Sequence, residues 1–239
     1  MRTPQQAEPI RSYRKDRAGQ ETIMITYHPD TNTLTEFAAN SLSSAQSVVI
    51  ATHLEVCEVC QQRLAELECI GGALFENGQP VDVDATLFES VLAKIDEVEE
   101  AHAANDANAS DLAWTVKQVR QGNLEGLSWR KVTKTLRIAD LGAIDGAAEF
   151  SLYHIAEGGS IPQHDHSGTE MTLVLQGGFS DESGTYHAGD FVTRESGEEH
   201  SPTAIAGGDC ICLAVLESPL RFTRWHHRLL SPLLQLRAG

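Results

Sequence analysis

Residues 99–111, EEAHAANDANASD, contain no large apolar side chain, and a packed core cannot be built through such a stretch. The 239-residue chain therefore divides into two modest units. Their expected bounds are 24–98 for the first unit, 99–112 for the linker and 113–218 for the second unit. Residues 1–23 read as a leader without structure, and Met24 offers an alternative start. Residues 219–239, with Trp225, Leu229, Leu230, Leu233 and Leu234, read as an amphipathic segment suited to the second unit or to a homodimer contact. The leader lacks the continuous apolar core of a signal peptide. No apolar run reaches the ~18 residues of a membrane helix, so a cytoplasmic protein without membrane contact is expected.

The first unit has helical punctuation. Thr33-x-x-Glu36 has the form of a capping box, with Leu34, Phe37 and Ala38 at helical spacing. A second helix is expected from Ser43, with Ala45, Val48, Val49 and Thr52 on one face. A third carries Cys60, Leu64 and Leu67 and is expected to stop at Gly71-Gly72. A fourth opens at Thr86-x-x-Glu89, with Phe88, Val91, Leu92 and Ile95 as its stripe. The charge is concentrated here. Between Met24 and Leu112 sixteen Asp/Glu stand against two Lys/Arg, a net −14 of the chain's −16. Such a segment repels nucleic acid and attracts a basic protein surface.

The second unit reads differently. Trp129–Leu141, Glu149–Ile155, Met171–Leu175, Phe191–Val192 and Cys210–Leu216 are expected strands, separated by glycine-containing turns. That pattern predicts an all-β sandwich or barrel.

Each unit carries a metal-ligand pattern. His53, Cys57 and Cys60 fall at i, i+4 and i+7, within roughly 40° of the first around a helix axis. A structural zinc site takes four nitrogen or sulfur ligands, so a fourth must come from elsewhere; His28, just before the first helix, is the best candidate. The alternatives are a redox C-x-x-C pair or simple buried thiols. A redox pair normally opens a helix after a strand in a βαβ setting, and no such setting is present. The second pattern is His164-x-His166-x3-Glu170, followed downstream by His200. His164 and His166 alternate, so a strand points both to one face. Three histidines and a glutamate suit zinc or another divalent transition metal, and ligand type alone does not choose. The alternative is a vestigial barrel with a polar interior. Cys210 and Cys212 share a strand face and read as core.

Together these motifs resemble a known family. The H-x3-C-x2-C motif on small helices, with a histidine upstream, looks like the zinc-binding anti-sigma factors. The stretch Gly158 to Gly177 and the stretch Gly189 to His200 look like the two motifs of a cupin. Glu195 stands where the cupin pattern usually has proline and Ala204 where it has asparagine; neither is a ligand position. The combination is similar to the ChrR group. The resemblance implies a multidomain α + β chain: a small four-helix zinc-binding anti-sigma domain, then an all-β cupin, a double-stranded β-helix or jelly-roll barrel. It makes His28 the fourth zinc ligand of His53, Cys57 and Cys60, and makes His164, His166, Glu170 and His200 the cupin ligands, with zinc the favoured ion. It implies an extracytoplasmic-function sigma factor as partner, without direct nucleic-acid contact. Release would follow singlet oxygen or organic hydroperoxide sensed through the cupin. The competing expectation is a metal-dependent cupin enzyme, an oxygenase or isomerase with an accessory zinc domain. No acid–base pair or substrate motif accompanies the cupin ligands, so a regulator rather than an enzyme is expected.

Overall fold

The computed structural model describes residues 13–15, 21–23, 25–94, 124, 126–142, 144 and 147–223. The expected linker at 99–112 and most of the 219–239 segment lie outside the described residues. Within the leader, where no structure was expected, β1 (Tyr13–Lys15) pairs antiparallel with β2 (Glu21–Ile23), Arg14 standing opposite Thr22.

Three helices and a further helical segment at 87–94 make up the first unit. Helix α1 (Thr31–Ala38) starts one turn before the expected capping box, because Asp30 accepts from Thr33 N at 2.7 Å. Helix α2 (Ser44–Leu54) starts as expected at Ser43, whose hydroxyl accepts from Gln46 N while the Gln46 side chain accepts from Ser43 N. Helix α3 (Glu58–Glu76) does not stop at Gly71-Gly72 but runs through both glycines to Asn77. Two interior glycines cost a helix about 1 kcal/mol each, which its length absorbs.

The second unit contains β3 (Trp129–Lys131), β4 (Leu136–Asp140), β5 (Glu149–Ile155), β6 (His164–Asp165), β7 (Glu170–Gln176), β8 (Gly178–Ser180), β9 (Thr185–His187), β10 (Phe191–Arg194), β11 (Thr203–Ala204), β12 (Cys210–Leu216) and β13 (Arg221–Phe222). The expected strand Trp129–Leu141 is a hairpin instead. Thr133 Oγ1 accepts from Thr135 N and Leu136 N, and this side chain turns the chain without glycine or proline. The strands form a six-stranded sheet in the order β10-β7-β12-β5-β4-β3, a three-stranded sheet β11-β8-β9, and a small pair β13-β6. Between β7 and β8, Gly177 has φ +65°, and a Cβ there would collide with the Asp209 carbonyl oxygen.

Strand β12, CICLAVL, is buried along its whole length. Its alternate residues enter two different cores. Cys210, Cys212, Ala214 and Leu216 pack inside the barrel with Tyr153, Val174 and Phe179. Ile211, Leu213 and Val215 belong instead to a core with Leu152, Leu173, Ala45, Val49 and Ile50. Helix α2 therefore covers the outer face of the six-stranded sheet, packing on β7 and β12. A sheet strand buried on both faces reads as a continuous apolar run, as this one does. The two units thus share a core, and Gln46 adds a polar clasp, donating Nε2–H to Glu217 Oε1 at 3.1 Å.

Ile50 is fully buried in that shared core. Ile50→Ala is expected to lower unfolding free energy by about 2–4 kcal/mol in urea titration. Amide protection should fall in β7 and β12 as well as in α2 when followed by hydrogen exchange; a loss confined to α2 would contradict a shared core.

Candidate metal centres

The first centre forms where α2 ends and α3 begins. His53 lies in the last turn of α2, Cys57 caps α3, and Cys60 lies in the first turn of α3. The short break between the helices brings the two thiols to the imidazole. His28 arrives from the extended segment before α1. Its Nδ1 is 3.2 Å from Cys57 Sγ and 3.4 Å from Cys60 Sγ, and His53 Nε2 is 3.3 Å from Cys60 Sγ. All four ligand atoms lie within 4.8 Å of one another. A tetrahedral zinc with ordinary Zn–N and Zn–S bonds needs ligand atoms roughly 3.3–3.8 Å apart, so the donor set fits.

The barrel helps to hold this centre. His53 Nδ1–H donates to the Gly189 carbonyl at 2.9 Å, which fixes the tautomer and leaves the Nε2 lone pair facing the thiols. Gly189 has φ +94°, and a Cβ there would stand 2.8 Å from the Ile25 side chain, so the position calls for glycine. The next residue, Asp190, is 1% exposed. Its Oδ1 accepts from Thr26 N at 2.7 Å and Tyr27 N at 3.0 Å, and its Oδ2 accepts from His187 N at 2.8 Å. Phe191 N donates to Tyr27 O at 3.0 Å. The segment carrying His28 is thereby fastened to the β9–β10 turn.

Burial sets the electrostatics. It brings the His53 pKa down to about 4, against a smaller opposing contribution from the bond to Gly189. Burial likewise pushes the Cys60 thiol up to about 12, with the hydrogen bond and charge of Cys57 adding to it. Two adjacent buried thiolates need a cation between them, and a bound metal reverses the thiol preference outright.

The second centre lies inside the barrel. Strand β6 supplies His164, the following turn His166, the start of β7 Glu170, and the loop after β10 His200. His164 and His200 bring their Nε2 atoms to 2.6 Å, and His200 Nε2 is 3.3 Å from Glu170 Oε2. Ligand atoms of His164, Glu170 and His200 fall within 4.8 Å of one another. His166 joins through Glu170, with Nε2 3.4 Å from Oε2. Main-chain carbonyls of Pro162 and Gly168 accept the Nδ1–H groups of His164 and His166, turning both Nε2 atoms inward. His166 Nε2 is buried without a hydrogen-bond partner, facing the Glu170 carboxylate. A buried orphan acceptor beside a buried carboxylate suits a cation. Burial alone would raise Glu170, but its hydrogen bond to His200 and the charges of the histidines hold it at about 2. Burial lowers His164 to about 4, and His200 adds to the shift. A cavity opens beside this centre, walled by Tyr153, Ile155, Ile161, Phe179, Val192 and Leu220.

All eight residues singled out in the sequence thus gather in two clusters, four in each. Gly189 and Asp190 were missed, since nothing local in a Gly-Asp turn announces contact with a helix more than a hundred residues earlier. Cys210 and Cys212 are buried with Sγ atoms 3.5 Å apart, as core residues.

The pH dependence follows from the two histidines. The fold holds His53 and His164 at about 4 against an ordinary 6.5, so it favours their neutral forms. Their stabilisation is complete above 6.5 and is lost as pH falls from 6.5 toward 4. Thermal unfolding at pH 5 should therefore occur at lower temperature than at pH 7.5, and an unchanged or higher midpoint would contradict this.

Comparison with known proteins agrees with this architecture. The family model for the ChrR cupin-like domain matches residues 118–219. The anti-sigma-E factor ChrR of Cereibacter sphaeroides is 37% identical over 215 residues, covering 90% of this chain and 100% of the relative. The crystal structure of Rhodobacter sphaeroides SigE in complex with the anti-sigma ChrR aligns at 36% identity with a TM-score of 0.65, covering 81% of this chain and 100% of that one. On the identity and length of that match, this chain belongs to the ChrR family of anti-sigma factors.

Proposed function

We propose that the chain is an anti-sigma factor that sequesters an extracytoplasmic-function sigma factor in the cytoplasm, with zinc at the helical centre and zinc or a similar divalent ion in the barrel. The observation that carries this reading is the uncovered apolar surface on the acidic first unit. Beyond Cys60, α3 buries no side chain fully. Ile70, Leu74, Phe75, Val81, Val83 and Phe88 are 58–87% exposed. An apolar surface of this kind marks a protein interface, and its setting of Asp and Glu suits the basic faces of a sigma factor. The relative in Cereibacter sphaeroides is named for sigma-E, and the aligned crystal structure contains SigE. Among the described residues no helix is long and apolar enough to cross a membrane.

Zinc in the helical centre would be structural. Three helices bury a small core, so the free energy of metal binding becomes folding free energy. Release of sigma under oxidative stress, by singlet oxygen or organic hydroperoxide, would start in the barrel, where a cavity adjoins the second centre. The same cavity favours a second reading, a metal-dependent oxygenase or isomerase. That reading requires turnover of a small molecule that stops in Glu170→Gln.

Two measurements test the regulator. Phe75→Asp combined with Phe88→Asp should weaken sigma binding by about 100-fold or more in calorimetry, since buried aromatic anchors contribute about 2 kcal/mol or more each. The folded chain should keep its unfolding temperature; unchanged affinity would overturn this interface. Metal analysis should find two zinc-equivalent ions per wild-type chain and one in the Cys57→Ala, Cys60→Ala variant.

A further inference from the structure

The apolar surface left open on α3 and residues 81–92 has a complement within the chain itself. Residues 70–92 carry Glu76, Asp82, Asp84 and Glu89, all exposed, and no Lys or Arg. The same stretch leaves Ile70, Leu74, Phe75, Val81, Val83 and Phe88 more than half exposed. An apolar patch of this kind is seldom left bare in a soluble monomer. Residues 224–237, RWHHRLLSPLLQLR, have the opposite charge and a matching apolar character. They hold Arg224, Arg228 and Arg237, no Asp or Glu, and Trp225 with five leucines. The basic leader lacks this combination: residues 1–20 hold five Lys/Arg against two Asp/Glu, but only Met1, Ile10 and Tyr13 as large apolar or aromatic side chains.

The fold fixes where this segment begins. Leu220 is buried in the barrel. Arg221 donates from Nε and Nη2 to the two carboxylate oxygens of Asp165 at 3.1 and 3.2 Å, and Phe222 stands in register with His164 across the β13–β6 pair. Thr223 N adds a bond to the Gln163 carbonyl at 3.2 Å. From that root the fourteen residues to Arg237 span up to about 45 Å when extended, about the diameter of a folded chain of this length. The open face is therefore within reach of the segment while β13 stays paired. A tether of this length holds the segment at an effective concentration on the order of 1 mM. An intrinsic Kd of about 0.1 mM then covers the face about 90% of the time, and the apparent affinity of a competitor falls about tenfold. Exposed ion pairs contribute little by themselves, so Trp225 and the leucines supply the contact and the arginines its orientation.

We propose that residues 224–237 of the same chain dock on the acidic, apolar face formed by the far half of α3 and residues 81–92, and that they compete there with the sigma factor. The segment presents to this face the chemistry expected of the partner, basic and apolar together. It covers the exposed side chains in the free chain and sets a threshold that sigma must exceed. The competition rests on the anti-sigma reading above; the contact itself does not.

The test is amide hydrogen exchange on the full chain without sigma, comparing wild type with a Leu229→Asp, Leu233→Asp variant. Exchange across residues 70–92 should become about fivefold to tenfold faster in the variant, as an occupied face becomes free, while α2 and β12 keep their protection. Arg224→Glu with Arg228→Glu should act in the same direction, and adding Asp82→Arg and Glu89→Arg should restore protection, which a loss of fold would not allow. Unchanged exchange at residues 70–92 would overturn the contact, as would deprotection of the barrel strands in their place. Protection that rises with protein concentration would assign the face to a second copy and also overturn it. Calorimetry with the sigma factor that co-purifies with the chain then reads the competition. The Leu229→Asp, Leu233→Asp variant should bind that sigma about tenfold more tightly than wild type, and equal affinity would overturn the competition. If no sigma factor co-purifies, the anti-sigma reading fails while the contact stands on the exchange data.

Discussion

The structure depends on the fastening of the helical unit to one turn of the barrel. The Gly189 carbonyl takes the Nδ1–H of His53, and the Asp190 carboxylate takes the amides of Thr26 and Tyr27. These bonds hold two of the four cluster residues, His53 and His28, beside Cys57 and Cys60. A hydrogen bond of this type contributes only about 1 kcal/mol net, but leaving buried Asp190 without partners would cost more. The turn therefore acts chiefly by specifying geometry. It fixes the His53 tautomer and anchors the segment that carries His28.

The apolar counterpart is β12. Because its alternate residues serve the barrel interior and the α2 interface, the barrel wall is also the floor of the helical unit. A small helical unit gains from that arrangement, since alone it would expose Ala45, Val49 and Ile50 and retain little core. Among the described residues, the far half of α3 and residues 81–92 make no comparable contact and leave their apolar side chains outward. One side of the unit is thus committed to the barrel and the other remains open for a partner. The division matches the charge: an acidic, apolar-studded surface is suited to a basic protein and unsuited to nucleic acid.

Much of this was legible in the sequence, and the reason is locality. His53, Cys57 and Cys60 span two turns of helix, and His164, His166 and Glu170 span a strand and its turn, so ligand spacing survives as a readable pattern. His28 and His200 join from a distance; His28 stood out by its place just before the first helix and became a ligand by the resemblance, and His200 came from the resemblance to the second cupin motif. The helix start at Ser43 was legible from capping chemistry, whereas Asp30 capped α1 in place of the Thr33–Glu36 pattern and the Thr86 hydroxyl donates to Asp84. The hairpin at Thr133 was missed because threonine side chains made the turn that glycine or proline usually signals. Gly71 and Gly72 read as a stop but lie in an exposed helix with nothing within 4 Å of their would-be Cβ atoms, where they are merely weak positions. The shared core and the Asp190 fastening have no local signature at all. They depend on which residues meet across more than a hundred positions, and the low-complexity stretch at 99–111 suggested a separation that the packing of α2 on β7 and β12 replaces with a joint.

The central claim is that the helical metal centre is completed by the barrel. Its most direct test is the rate at which a chelator strips zinc from the full-length chain with and without Asp190. Asp190→Ala should release one zinc about tenfold faster, since second-sphere partners commonly contribute 10–100-fold to metal affinity, while the other ion leaves at the wild-type rate. Equal stripping rates for both ions in wild type and variant would contradict the account.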